Sequence, residues 1–146
     1  MVFYERLVVA WADVDIPRHA EITKHRCAEC DEIAAYFADR PWQELTNVDE
    51  LRYHADALHL FSNKAFHYYL PAFMCVTLAT PDAADVIPGK IVFSFECEFG
   101  ARSRDRLALF SSHQRKVVGE FIAILADRGI EDVHEVETLT ALLAGV

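Results

Sequence analysis

The sequence predicts a mainly helical α+β protein, with five or six helices and a small two-stranded antiparallel hairpin. Two observations predict this class. Apolar residues recur every three or four positions along most of the chain, as on the buried face of a helix. Residues 91–99 instead alternate in polarity with the two-residue period of a half-buried strand. Because 146 residues suffice for one core, we expect residues 1–146 to form a single domain.

The composition excludes several classes of protein. An apolar content of 53% and an aromatic content of 12% are too high for a disordered chain. No apolar run reaches the roughly 18–20 residues of a membrane span, and no signal peptide opens the sequence, so we expect a cytoplasmic protein without a membrane partner. With 14 Lys+Arg against 23 Asp+Glu, the net charge is −9, which predicts that the protein does not bind nucleic acid.

The first half of the chain contains two clear helical patterns and one weaker pattern. Apolar residues over 3–14 predict a helix that stops before Pro17. Residues 27–37 predict a second helix, which ends near Arg40 because the residue before a proline disfavours helical geometry. Residues 48–60 predict another short helical segment.

A longer helix follows Ser62, whose side chain can cap its first turn. Pro71 lies inside this pattern and cannot donate a hydrogen bond to the carbonyl of His67, which predicts a kink or a local break. The run from His67 to Phe73 could line a pocket with hydroxyls and one imidazole. It is more typical of a buried central helix, in which tyrosine hydroxyls bind the backbone groups freed at the kink.

The next segment predicts the hairpin. Residues 82–90 are typical of a loop, with a turn at Pro88-Gly89. Residues 91–99 then form the first strand and residues 106–110 its partner, joined by an arginine-rich turn that we expect to be solvated. An alternative partner for the first strand is a second copy of the chain, which would give a homodimer closed through this edge.

Two further helices are predicted near the end of the chain. Ser111 and Gln114 match a capping box, and Gly129 closes the helix that follows. Asp132 and Glu135 repeat the capping pattern and begin a last amphipathic stripe.

Candidate metal ligands lie at the start of the second helix. Cys27 and Cys30 have the spacing with which two thiolates hold one zinc ion, and His25 is a candidate third ligand. The sequence has no second cysteine pair of the kind that structural zinc signatures contain. His19, His54 or His59 could contribute only through the fold. The opposing interpretation is that both thiols are small buried apolar side chains, so no cofactor is assigned and zinc is the alternative.

A redox role for this cysteine pair is disfavoured because no strand precedes the helix, as it does in βαβ redox motifs. Glu29, Asp31 and Glu32 could act as acid and base or bind a hard metal, but acids on an amphipathic helix usually form its solvated face.

No catalytic residue is predicted. The sequence lacks a phosphate-binding glycine loop, a Gly-x-Ser-x-Gly elbow, a His-Glu-x-x-His helix and a dinucleotide fingerprint. Ser111, Ser112 and His113 are neighbours at a helix start, where capping already explains the serines. The sequence leaves enzymatic activity open and favours its absence.

The negative charge instead favours a protein-binding module, of an immunity or antitoxin-like type, that covers a basic partner protein. The candidate contact residues lie in the acidic C-terminal helix: Glu131, Asp132, Glu135 and Glu137. A zinc-binding or metal-dependent protein that uses His25, Cys27 and Cys30 is the alternative function.

The order of four motifs resembles a family of small bacterial cytosolic proteins of unknown function. The resemblance spans about residues 1–128, and the stripe from Asp132 lies outside it. It implies a compact domain and no activity, substrate or catalytic residue. The four motifs are His25 to Glu32, Pro41-Trp42, Phe66 to Met74 and Leu107 to Gln114.

Overall fold

Helices form most of the chain that the computed structural model describes, which is residues 2–95, 105–131, 137, 139–141 and 143. The α-helices are α1 (Phe3–Ala10), α2 (Ala28–Phe37), α3 (Val48–Tyr53), α4 (Ala57–Leu60), α5 (Asn63–Ala79), α6 (Pro81–Ala84), α7 (Ile87–Ser94) and α8 (Ser112–Asp127). Two short 3₁₀ helices cover His19–Glu21 and Trp42–Glu44. Residues 105–107, 137, 139–141 and 143 are also helical.

The predicted helices at 3–14, 27–37 and after Ser62 are confirmed, with α1 ending earlier than its apolar pattern. The weaker segment 48–60 contains two helices, α3 and α4. As predicted, the hydroxyl of Ser62 accepts the N–H of Ala65 at 3.0 Å. Local periodicity and capping therefore located these elements, because both depend on neighbours in the sequence.

The predicted hairpin is wrong. Residues 91–94 belong to α7, residues 105–107 are helical, and the part of the chain that the structure describes contains no sheet. The four apolar residues at positions 87, 91, 92 and 95 are buried on one helical face, whereas Phe93 is 37% exposed and breaks the strand alternation. A homodimer closed through a strand at 91–94 would need an extended backbone that the chain does not have there. Residues 96–99 of the predicted strand lie outside the described residues.

The loop predicted for 82–90 is also wrong. This segment contains α6 and the first turn of α7, with Pro88 and Gly89 inside the helix. Proline suits this position because the amides of a first helical turn have no partner within the helix, and its fixed φ already matches helical geometry. The Pro-Gly pair therefore starts a helix here rather than a turn.

α5 occupies the centre of the core, and twelve of its seventeen residues are buried. Phe37 of α2, Phe61, Tyr69 and Phe73 form an aromatic cluster, with ring centroids 4.9 Å apart for Phe37 and Tyr69. α1 packs against α8, where Arg6 forms an ion pair with Glu120. Among the helices that the structure describes, none has both the length and the apolar character required to cross a bilayer.

The helix α5 continues through Pro71, and the carbonyl of His67 finds its donor outside this helix. The indole N–H of Trp11, which follows α1, donates to this oxygen at 2.7 Å. The tyrosine hydroxyls do bind backbone groups, as expected, but these groups belong to other elements. Tyr69 donates to the carbonyl of Phe37 at 2.7 Å, and Tyr68 accepts the N–H of Trp42 at 3.3 Å.

The helix α8 begins and ends as predicted. Ser111 and Gln114 form the reciprocal bonds of a capping box, at 3.0 and 2.9 Å. Gly129 adopts a left-handed φ of 68°, and the N–H of Ile130 donates to the carbonyl of Leu125 at 2.8 Å, which closes the helix as a Schellman motif. The capping pattern of Asp132 and Glu135 lies outside the described residues.

The arginine-rich turn was predicted to be solvated, and Arg106 contradicts that prediction. Its side chain is 2% exposed and lies 4.4 Å over the ring of Phe66. The guanidinium donates to the carbonyls of Leu58 at 2.8 Å and His59 at 3.2 Å, both in α4. Arg106 therefore binds carbonyls near the C-terminal end of a short helix, where a cation is electrostatically favoured.

Candidate metal centre

Hydrogen bonds connect the segment before α2 to the start of α5. The hydroxyl of Ser62 donates to the carbonyl of Glu21 at 2.5 Å, and the N–H of Ser62 donates to the carbonyl of Ile22 at 2.9 Å. An isolated antiparallel bridge joins Thr23 to Phe61. These bonds fix the backbone that leads directly to His25.

The carboxylate of Glu21 adds a charged anchor to the same segment. It accepts hydrogen bonds from the backbone N–H of Arg18 at 2.9 Å and from Nζ of Lys64 at 3.0 Å. The Arg18 amide, followed by Lys64, lowers the pKa of Glu21 to about 2. The contacts of Glu21 and Ile22 thus anchor the segment that leads to the cysteine pair.

Cys27 is the N-cap residue of α2, and Cys30 lies in its first turn. The Sγ atom of Cys27 accepts the N–H of Cys30 at 3.3 Å, which is the role that a serine oxygen usually has at this position. Cys27 is exposed and Cys30 is fully buried. The interpretation that the two thiols fill space in the core therefore holds for Cys30 but not for Cys27.

His25 completes a group of three metal-ligating side chains. The candidate ligand atoms of His25, Cys27 and Cys30 all lie within 4.8 Å of one another. The Nδ1 atom of His25 is 3.4 Å from Sγ of Cys30. Burial, followed by the neighbouring Cys27, raises the pKa of the Cys30 thiol to about 11. Within the described ranges this is the group that could hold a metal ion, and His19, His54 and His59 are not part of it.

The arrangement fits a tetrahedral zinc ion. Bond lengths of about 2.3 Å to sulfur and 2.0–2.1 Å to nitrogen place two such ligands about 3.6 Å apart. The observed 3.4 Å between Nδ1 of His25 and Sγ of Cys30 is close to this separation. Two thiolates and an imidazole are soft to borderline ligands, which select zinc over magnesium or calcium.

A surface pocket of about 260 Å³ begins one residue away from Cys30. Its walls come from α2, α3 and the α3–α4 turn. The hydroxyl of Tyr53 donates to Oε1 of Glu32 at 3.1 Å, and the ring of His54 lies 4.2 Å from that of Tyr36. Burial lowers the pKa of His54. The lining residues are Glu29, Glu32, Ile33, Tyr53, His54 and Asp56.

Glu29, Asp31 and Glu32 are exposed, as expected for the solvated face of α2. No sequence pattern predicted that Tyr53 would line this pocket. It is 21 residues away from Glu32 in the chain, and only the tertiary fold brings the two side chains together. A pattern of spacing within one helix cannot report such a contact.

Of the four predicted acidic contact residues, the structure describes Glu131 and Glu137. Glu131 is half-buried, and its Oε1 lies 3.3 Å from the position that a Cβ atom on Gly89 would occupy. Its side chain therefore packs against the first turn of α7. Glu137 is exposed, whereas Asp132 and Glu135 lie outside the described residues.

His67, from the run that could line a pocket, lies instead in a buried hydrogen-bond network with Gln114. His67 is buried, and its Nε2 donates to Oε1 of Gln114 at 2.8 Å, an oxygen that also accepts the N–H of Ser111. The amide nitrogen of Gln114 donates to the carbonyl of Ala10 at 2.9 Å. Gln114 thus links α1, α5 and α8. Burial lowers the pKa of His67.

Over the described residues, the protein is a helical one with a cysteine–histidine centre at the start of α2. The chain belongs to a family of unknown function (DUF6714), which matches residues 13–143. No curated protein and no solved structure matches the chain. The predicted resemblance to a family of unknown function is confirmed at this level. The match extends past Asp132, so the last stripe, which was placed outside the resemblance, falls within the family.

Proposed function

We propose that the protein binds zinc through His25, Cys27 and Cys30. The observation that carries the proposal is the convergence of their ligand atoms within 4.8 Å. Three side chains supply three of the four positions that zinc prefers, and the fourth is left for water or for another ligand. His25 and Cys27 are exposed, so this position can be reached from solvent.

Such an ion would join His25, in the segment before α2, to the first turn of that helix. Because the fold holds the three ligands together, zinc binding would stabilise the folded chain by mass action. A reducing compartment such as the cytoplasm, which we propose for this chain, keeps both sulfurs available as ligands.

Elemental analysis of the purified chain tests the proposal. After incubation with zinc and removal of the excess, we expect about one zinc ion per chain. His25→Ala, Cys27→Ser and Cys30→Ser should each lower this ratio, whereas His19→Ala and Cys75→Ala should retain it. Cobalt substitution should give thiolate-to-metal charge-transfer absorption that weakens in each cysteine variant. A wild-type chain without zinc, whose thermal midpoint does not move on zinc addition, would refute the site.

We also propose, as a second function, the binding of a basic protein partner of the kind that immunity proteins cover. The net charge of −9 and the exposure of Glu137 support it. Charge reversal at 131, 132, 135 and 137 should abolish capture of a partner from lysate of the native host. Reversal of Glu29, Asp31, Asp49 and Glu50 is the control and should leave capture intact. Equal loss in both variants would count against the C-terminal surface.

A further inference from the structure

We propose that Cys27 and Cys30 form a reversible disulfide by exchange with a small disulfide compound of the glutathione class, and that this oxidation removes the metal site. The regulatory part of this inference rests on the proposed zinc site. The thiol chemistry itself rests on the positions of the two sulfurs.

The two sulfurs differ in access. Cys27 is exposed at the beginning of α2, whereas Cys30 is fully buried behind it. A disulfide reagent can therefore reach Cys27 first, and Cys30 is left to attack from inside. An accessible thiol reacts first in disulfide exchange, and a second thiol beside it can then resolve the mixed disulfide.

The backbone holds the Cys27 sulfur beside Cys30. Its Sγ accepts the N–H of Cys30 at 3.3 Å, and the two residues lie three positions apart at the start of a ten-residue helix. A preceding strand, whose absence disfavoured a redox role at the level of sequence, is not required for this placement.

The reaction balances in two steps. In the first, the Cys27 sulfur bonds to one sulfur of the reagent R–S–S–R, the reagent's own bond breaks, and the Cys27 proton leaves on R–SH. In the second, the Cys30 sulfur bonds to Cys27 and displaces the second R–SH, which takes the Cys30 proton. The Nδ1 atom of His25 lies 3.4 Å from Sγ of Cys30, within reach of that proton. The protein loses two electrons and two protons, and the reagent gains both.

The consequence for the metal site is direct. A thiolate is the metal ligand, and a disulfide sulfur is not. Oxidation therefore removes two of the three ligands and leaves His25 alone. Conversely, a bound zinc ion shields both sulfurs from the reagent, so metal and disulfide compete for the same pair.

Oxidised glutathione is the probe for the test, applied to the full chain without zinc and to the full chain with added zinc. Intact mass and peptide mapping then report which cysteines are modified. In the chain without zinc we expect an internal Cys27–Cys30 disulfide. Cys30→Ser should accumulate a mixed disulfide at position 27 about tenfold faster than Cys27→Ser accumulates one at position 30. Cys75→Ala should behave as the wild type.

The measurements with and without zinc distinguish the metal-site proposal from the disulfide proposal. If zinc does not bind but the disulfide still forms, only the metal proposal fails. If zinc binds but the wild-type thiols stay reduced in oxidised glutathione, the redox proposal is overturned. Equal rates of mixed-disulfide formation in Cys27→Ser and Cys30→Ser would also overturn it, because the two sulfurs would then have no assigned order. Circular dichroism of both variants shows whether each is folded, and peptide mapping of the wild type gives the result independently of them.

Discussion

The indole Nε1 of Trp11 donates a 2.7 Å hydrogen bond to the carbonyl oxygen of His67. This oxygen is the one that Pro71 leaves without its helical donor, since proline has no N–H to offer four residues later. A residue that follows the first helix thereby satisfies the backbone gap in the central helix, and the two are 56 positions apart in the chain.

This relationship predicts a coupling between Trp11 and Pro71. Trp11→Phe should lower the free energy of unfolding by about 1–3 kcal/mol, because a buried carbonyl loses the donor that takes the place of the missing Pro71 N–H. In a Pro71→Ala background the restored N–H can serve that carbonyl, so the same substitution should cost less. Urea unfolding of the four chains in the cycle measures the difference. Strict additivity would show that the indole acts only through its packing.

A second prediction concerns the pH dependence of stability. Burial lowers the pKa of His67 from its usual 6.5, so the unfolded chain binds more protons than the folded chain below that value. The contribution of the neutral imidazole to the free energy of unfolding should therefore be fully present above about pH 6.5 and decline as the pH falls from there.

His67→Gln should flatten that decline between about pH 7 and about pH 5. His54 shifts in the same direction by burial, so His54→Gln serves as a comparison and should remove a separate part of it. Urea midpoints across the pH range provide the measurement. An unchanged slope in His67→Gln would mean that this imidazole does not control acid sensitivity.

A third prediction concerns Arg106, whose buried guanidinium binds the carbonyls of Leu58 and His59. Arg106→Leu should destabilise the fold by about 1–3 kcal/mol for each carbonyl that is left without a donor. Arg106→Lys keeps the charge but loses the planar fork, so it should recover only part of the loss. Thermal and urea unfolding would check the order wild type, lysine variant, leucine variant. A leucine variant as stable as the wild type would contradict it.

A fourth prediction concerns Glu21, whose pKa is lowered to about 2 by the Arg18 amide and Lys64. A lowered carboxyl pKa means that its contribution is present above the ordinary value and is lost as the pH falls through the folded value. Glu21→Gln should thus lower the free energy of unfolding above about pH 4.5 and flatten the loss that the wild type shows between about pH 4.5 and about pH 2, where the two chains converge.

The exposed Glu44 provides a matched control for that measurement. Glu44→Gln should retain the wild-type acid limb, because among the described residues the Glu44 carboxylate has no ion pair like that of Glu21 with Lys64. Since Glu21 also anchors the segment that leads to His25, Glu21→Gln should in addition weaken zinc binding moderately. A variant with normal acid unfolding and normal zinc content would separate Glu21 from the anchoring of this segment.

Several elements could be predicted from the sequence because their causes are local. The caps at Ser62 and Ser111 and the closing Gly129 act within one helical turn. The cysteine spacing likewise indicated that Cys27 and Cys30 lie close enough to be candidate metal ligands, because the two positions are three residues apart at the start of one helix. In contrast, the strand predicted from residue 91 onward failed because a short apolar run satisfies both a two-residue and a helical period.

By itself, the sequence determined where α1, α2, α5 and α8 begin, which of their faces are apolar, and which residues could supply soft metal ligands. The tertiary structure decided which polar groups meet across the chain. It placed Trp11 against the carbonyl of His67, Arg106 against α4, and Tyr53 against Glu32. The physical reason is that periodicity and capping are energies between neighbouring residues, whereas a buried donor finds its acceptor only after the helices have packed and excluded water.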